Sequence, residues 1–211
     1  MSEIALPFAR RMEVGAASNL TAKAPDSPAS DSPPPDDLLV RTLKGCQQQE
    51  PAAQRELVLQ TQDLVYRMVL RLVGAQDAED VCQQVYLQVF RGIGGFRGGS
   101  SFTTWLYRVS VNEALQHLRR QRTHRLSLLN SDEPDEKQDR RRQTEAREIL
   151  DRALAGIDPQ LRAIFLLREV EGLSYDKISS ALGIPMGTVA SRLSRARDEL
   201  QERLRMLGWD E

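Results

Sequence analysis

Ser174-Tyr-Asp-Lys-Ile-Ser-Ser-Ala-Leu-Gly-Ile-Pro-Met-Gly-Thr-Val-Ala-Ser-Arg-Leu-Ser-Arg-Ala-Arg197 is the stretch on which the fold turns. Ser174 is a good N-cap, because its hydroxyl can accept from the free N–H groups of a first helical turn. Gly183 is a good C-terminal stop, since glycine enters the left-handed conformation without penalty. Pro185 suits the first turn of the next helix, where a missing N–H costs nothing. The spacing predicts two helices joined by a tight turn, a helix-turn-helix. Stepping about 100° per residue from Val189, the side chains of Leu193, Ala196 and Leu200 form one narrow stripe, while Ser191, Ser194, Arg195 and Asp198 point the other way. Between Met186 and Arg197 stand Arg192, Arg195 and Arg197 with no acid. Small hydroxyls allow close approach to a DNA groove, and arginines meet phosphates or guanine edges. A helical hairpin with a solvated charged face is the plainer alternative.

Four short periodic segments fill the C-terminal piece, at 146–156, 159–171, 174–182 and 185–206. Upstream, Asn130–Gln143 holds no apolar side chain except Pro134, and reads as a flexible linker. Beyond it, Leu57, Leu64, Val65, Met68 and Leu72 repeat at helical steps up to Gly74. A second helix is expected from Asp77 to Arg91 on Val81, Val85 and Val89, stopped by Gly92, Gly94 and Gly95. After the loop Gly92–Ser100 a third runs over Phe102–Arg122 on Trp105, Leu106, Val109, Leu115 and Leu118. No alternating strand pattern of useful length occurs. The expectation is all-α: a disordered Pro/Ser/Ala-rich tail (1–37), a helical domain (38–125), a linker (126–145) and a four-helix domain with the helix-turn-helix (146–211). Six of the ten prolines lie in the tail, which cannot bury enough apolar surface to offset chain entropy.

Charge separates along the same boundaries. The net charge is only −1, yet 38–125 carries 12 basic against 7 acidic residues. Arg108, Arg119, Arg120, Arg122 and Arg125 face one acid, Glu113, over 108–125, directly after Phe102, Trp105 and Tyr107. Aromatic faces beside a basic track are what unpaired bases stack on, although a Trp at helical spacing is as often core. On the helix from Asp77, Asp80, Gln83 and Leu87 make a mixed second face opposite the valines, as in a mid-bundle helix or one that docks on a partner helix. An enzyme is disfavoured. The only histidines, His117 and His124, lie in the basic run, where phosphate contact suits them; there is no Gly-rich loop ending in Gly-Lys-Ser/Thr, and no metal-ligand cluster. Catalytic residues, metal and cofactor are all expected to be absent. Cys46 and Cys82 lack disulfide or zinc spacing and read as idle thiols. No apolar run approaches a membrane span and no secretory pattern opens the chain, so a cytoplasmic protein without membrane insertion is expected.

Three segments in order resemble the extracytoplasmic-function (ECF) subgroup of the sigma-70 family of bacterial RNA polymerase sigma factors. They are Asp77-Ala-Glu-Asp-Val-Cys-Gln-Gln-Val-Tyr-Leu-Gln-Val-Phe90, Phe96-Arg-Gly-Gly-Ser-Ser-Phe-Thr-Thr-Trp-Leu-Tyr-Arg-Val-Ser-Val-Asn112, and Glu171-Gly-Leu-Ser-Tyr-Asp-Lys-Ile178 followed by Gly183 to Arg197. The resemblance implies a subunit of RNA polymerase holoenzyme that recognises promoters and assists their melting. By it, 38–125 binds the clamp helices and melts the minus-ten element, while 146–211 binds the flap and reads the minus-thirty-five element. Asp80, Gln83 and Leu87 would face polymerase. Asn112 would line the pocket of a flipped base, Trp105 would support the melting loop, and Arg119 and Arg120 would hold phosphates, with Arg108 in the same minus-ten set. Thr188, Ser191, Arg192 and Arg195 would sit on minus-thirty-five DNA. Core RNA polymerase, promoter DNA and an anti-sigma factor are the implied partners. Ala190 and Ser194 depart from the bulkier or basic residues common in relatives, which leaves the bases read open. A free-standing helix-turn-helix regulator is the competing reading.

Overall fold

The computed structural model describes residues 37–128 and 145–209, and all its regular structure there is helical. Most of the expected tail and linker lie outside the described residues. α1 (Asp37–Gln47) is a helix that the sequence reading did not single out. α2 (Pro51–Val73) opens on a proline at its first position and buries Leu57, Val58, Val65, Met68, Val69 and Leu72. Gly74 ends it with φ 89°, its N–H closing onto the Leu70 carbonyl. α3 (Ala78–Gly92) buries Val81, Cys82, Val85, Tyr86 and Val89, then tightens into a 3₁₀ turn at Ile93–Gly95. α4 (Phe102–Leu128) runs six residues beyond its expected end at Arg122, and so past the expected domain boundary at 125.

The C-terminal segments fold close to their predicted bounds: α5 (Glu145–Ala155), α6 (Pro159–Phe165), α7 (Tyr175–Leu182) and α8 (Met186–Met206). Asp158 caps α6, accepting from the Gln160 N–H at 2.9 Å, and Ser174 caps α7, accepting from the Lys177 N–H at 3.3 Å. Gly183 takes φ 65° in the left-handed region. Pro185 occupies the N-cap of α8, one residue earlier than its expected place in the first turn. The predicted helix over 159–171 widens after Phe165 into a π-helical turn, Leu166–Val170, closed by the Glu171 N–H on the Leu166 carbonyl.

The two helical groups pack on each other. Leu166, Leu167, Leu173, Ile178, Val189 and Leu193 belong to the same buried cluster as Val65, Leu72 and Val111, and a smaller cluster around Leu154, Ile157, Leu161 and Leu200 completes the C-terminal group. Small domains bury a smaller fraction of their surface alone, and each buried Leu or Ile contributes about 1.5–3 kcal/mol, so docking recovers apolar burial. Polar contacts fix the register. The Tyr107 hydroxyl donates to Glu171, Arg71 lies 3.8 Å from the same carboxylate, and the buried Arg162 guanidinium donates to the carbonyls of Leu72 (2.9 Å), Ala155 and Ile157.

Candidate nucleic-acid interface and docking faces

On α4, Arg108, Asn112, Arg119 and Arg120 are all exposed. At about 100° per residue, Arg108, Asn112 and Arg119 fall within roughly 40° of one another, and Arg120 lies to one side. An amide between guanidinium groups can hydrogen-bond a base edge while the charges hold flanking phosphates. Trp105 does not join this surface. It is 9% exposed, with ring centroids 5.6 Å from Phe96 and 5.7 Å from Phe102, and a Cβ on Gly92 would stand 3.3 Å from its Cζ2. The indole has no face free to stack on a base; it packs beneath the Gly92–Ser100 loop. Tyr107 is likewise buried and turned to Glu171. His117 departs from the phosphate role expected of it: its Nε2 faces Asp77 at 3.4 Å, and Gln121 donates to that same carboxylate at 2.7 Å.

On α3 the sequence-predicted residues share one open face. Asp80, Gln83 and Leu87 recur at steps of three and four, and all are exposed, Leu87 at 44%. The valines on the other side are in the core, so α3 is not a mid-bundle helix. An exposed leucine flanked by an acid and an amide is suited to docking another helix.

On α8, Ser191 and Arg195 are exposed while Thr188 and Arg192 are half-buried. Ser191, Arg192 and Arg195 line an open cleft of about 380 Å³ with Asp158, Gln160 and Leu161. Arg195 Nε pairs with Glu199 at 3.0 Å, one turn on. Such an exposed pair is worth only about 0–1 kcal/mol, so a phosphate can replace the carboxylate. Ala190 and Ser194 are exposed on the same helix and leave its surface low. A second groove of about 570 Å³ was missed by sequence reasoning: Phe165, Leu200, Leu204 and Trp209 line it with Arg197 and Arg205. The signal available for it was Trp209, an aromatic side chain after the polar end of α8.

Among the described residues no group of three or more His, Cys, Asp or Glu side chains could hold a metal ion, and no helix is long and apolar enough to cross a membrane. Residues 57–124 match the family model of sigma-70 region 2, and residues 147–200 that of sigma-70, region 4. The RNA polymerase sigma-H factor of Pseudomonas aeruginosa is 35% identical over 170 residues, 72% of this chain and 86% of that protein. The ECF RNA polymerase sigma-E factor of Escherichia coli is 33% identical over 183 residues, 81% of this chain and 94% of that protein. The chain belongs to the ECF sigma factors of the sigma-70 family. This sigma factor is also 38% identical to the ECF RNA polymerase sigma factor SigE of Mycolicibacterium smegmatis over 160 residues, which is 71% of the chain but 60% of that longer relative. Its fold is shared with the sigma factor RpoE solved with the anti-sigma factor NepR from Bartonella quintana (TM-score 0.60, 23% identity, 72% of this chain and 96% of that one). CnrH, solved with the cytosolic domain of CnrY, gives a TM-score of 0.56 at 22% identity over 83% of this chain and 97% of that one. The region 2 match holds the α3 and α4 faces, and the region 4 match holds the helix-turn-helix.

Proposed function

We propose that this sigma factor is a promoter-recognition subunit without catalysis of its own, working in the cytoplasm as part of RNA polymerase holoenzyme. The observation that carries this reading is the separation of three open faces on three helices, each of different chemistry. Asp80, Gln83 and Leu87 on α3 dock on the clamp helices. Arg108, Asn112, Arg119 and Arg120 on α4 take the minus-ten strand, with the Gly92–Ser100 loop, seated on Trp105, entering the melted region. Thr188, Ser191, Arg192 and Arg195 on α8 lie on minus-thirty-five DNA, and the groove of Phe165, Leu200, Leu204 and Trp209 receives the flap. In this reading 38–125 and 146–211 are the working domains, parted by the linker at 126–145. Flipping a base out of its stack costs a few kcal/mol, which polymerase contacts and the basic track offset together. An anti-sigma factor is the inhibitory partner, by analogy with the sigma factor RpoE solved with the anti-sigma factor NepR. Asn112→Ala tests the pocket: permanganate footprints of the holoenzyme on a promoter should lose reactive thymines in the minus-ten region while polymerase binding persists. Full melting by the variant would refute the assignment.

A further inference from the structure

Gln47, the last residue of α1, reaches across to the turn that opens the Gly92–Ser100 loop. Its Nε2 donates to the carbonyl of Ile93 at 3.3 Å and to that of Phe96 at 3.2 Å. A primary amide has two N–H donors, so one group serves both carbonyls. Little else restrains this loop on its outer side. A Cβ added at Gly94, Gly95, Gly98 or Gly99 would meet nothing within 4 Å, and the turn's own closure is the Phe96 N–H on the Ile93 carbonyl at 3.1 Å. On its inner side Phe96 packs against Phe102 and Trp105.

The corner from which Gln47 springs is rigid. Cys46 beside it is 1% exposed, and Gly45 approaches α2 so closely that a Cβ there would stand 2.6 Å from the Ala53 Cβ. The Glu50 N–H closes on the Gly45 carbonyl at 3.0 Å, and Gln49 takes a left-handed φ of 60° to make that turn. A side chain fixed at such a base transmits the position of α1 and α2 to whatever its amide holds.

We propose that Gln47 is a positioning residue for promoter melting, a strut that fixes the Ile93 and Phe96 carbonyls and thereby sets where the loop stands relative to Asn112 on α4. It lies upstream of the region 2 match, which begins at residue 57. The inference rests on the melting role proposed above for this loop and α4. Its effect belongs to the step that opens duplex DNA, because a loop without its strut must be ordered at that step.

Holoenzyme assembled from bacterial core polymerase and full-length wild type, Gln47→Ala or Gln47→Glu is compared on two templates, a duplex promoter and the same promoter with its minus-ten region already unpaired. Gln47→Ala should slow open-complex formation on the duplex by about two- to tenfold, the equivalent of one net hydrogen bond. It should match wild type on the pre-opened template. Gln47→Glu, which turns an oxygen toward the two carbonyls, should lose at least as much on the duplex. Gln47 is exposed, so the thermal midpoint and co-elution with core polymerase should not change. Wild-type rates for Gln47→Ala on the duplex, or equal losses on both templates, would overturn the strut while leaving the melting role intact. A wild-type holoenzyme that opens neither the duplex nor its minus-ten region overturns the melting role itself, and the strut with it.

Discussion

Cys82 and Cys46 are 0% and 1% exposed, and burial governs their chemistry. Desolvation first, and the Glu79 carboxylate second, push the Cys82 thiol up to about 12; burial and Glu50 push Cys46 up to about 11. The thiolate is the nucleophile, so a thiol reagent at pH 8 should label the native protein slowly and both cysteines promptly after unfolding. Prompt labelling of the native chain would contradict this burial. The sign for stability follows from the same shift. A folded-state value raised above the ordinary 9.0 keeps its contribution in full below pH 9 and loses it as pH rises through about 12, so Cys82→Ala should flatten the decline of the thermal midpoint over that window. For Cys82 the burial was legible from its place beside Val81, Val85 and Val89 on one side of its helix. The setting of Trp105 was not, because helical spacing is the same for an indole under a loop and one offered to a base.

The apolar stripes of α2, α3 and α8 were legible because each helix buries one side and the step of 3.6 residues leaves its mark on the sequence. Open polar faces followed from the same rule, which is why Asp80, Gln83, Leu87, Asn112, Ser191 and Arg195 stand where periodicity put them. α1 escaped because its apolar residues, Leu38, Leu39, Val40, Leu43 and Cys46, follow directly on a proline-rich run that dominates the local composition. The π-helical turn at Leu166–Val170 escaped because it answers to packing between the two helical groups, and packing has no period in the sequence. On α4, Arg119 and Arg120 are exposed on consecutive positions and form no ion pair with an acid among the described residues. Replacing both by Ala should lower the log–log salt dependence of promoter binding by roughly 1.8, at about 0.9 per phosphate contact on duplex DNA. An unchanged slope would remove them from the interface.

Across the whole molecule, the docking of the two helical groups was not legible at all, since Tyr107 and Glu171 are 64 residues apart and each reads alone as an ordinary helical or turn residue. The interface is held with some cost. Arg162 is 8% exposed, burial pushes its guanidinium below the usual range, its partners are carbonyls, and its Nε has none. Burying a charge is expensive, and the carbonyls it meets, one of them Leu72 in the N-terminal group, together with the Asp158 carboxylate offset part of that cost; Glu171 and the apolar contact hold the rest of the closed arrangement. Folded chains of this length have a radius of gyration of about 15–17 Å. Tyr107→Phe combined with Glu171→Ala should raise that radius in small-angle X-ray scattering, and an unchanged value would mean that the apolar contact alone closes the molecule. The central claim is that α3 carries this sigma factor onto polymerase, and gel filtration with bacterial core RNA polymerase tests it most directly. Wild type should co-elute with the core enzyme, and an Asp80→Arg, Leu87→Arg double variant of unchanged helicity should not. Equal co-elution of both, or of neither, would contradict the account, and the latter would favour a DNA-binding regulator that works alone.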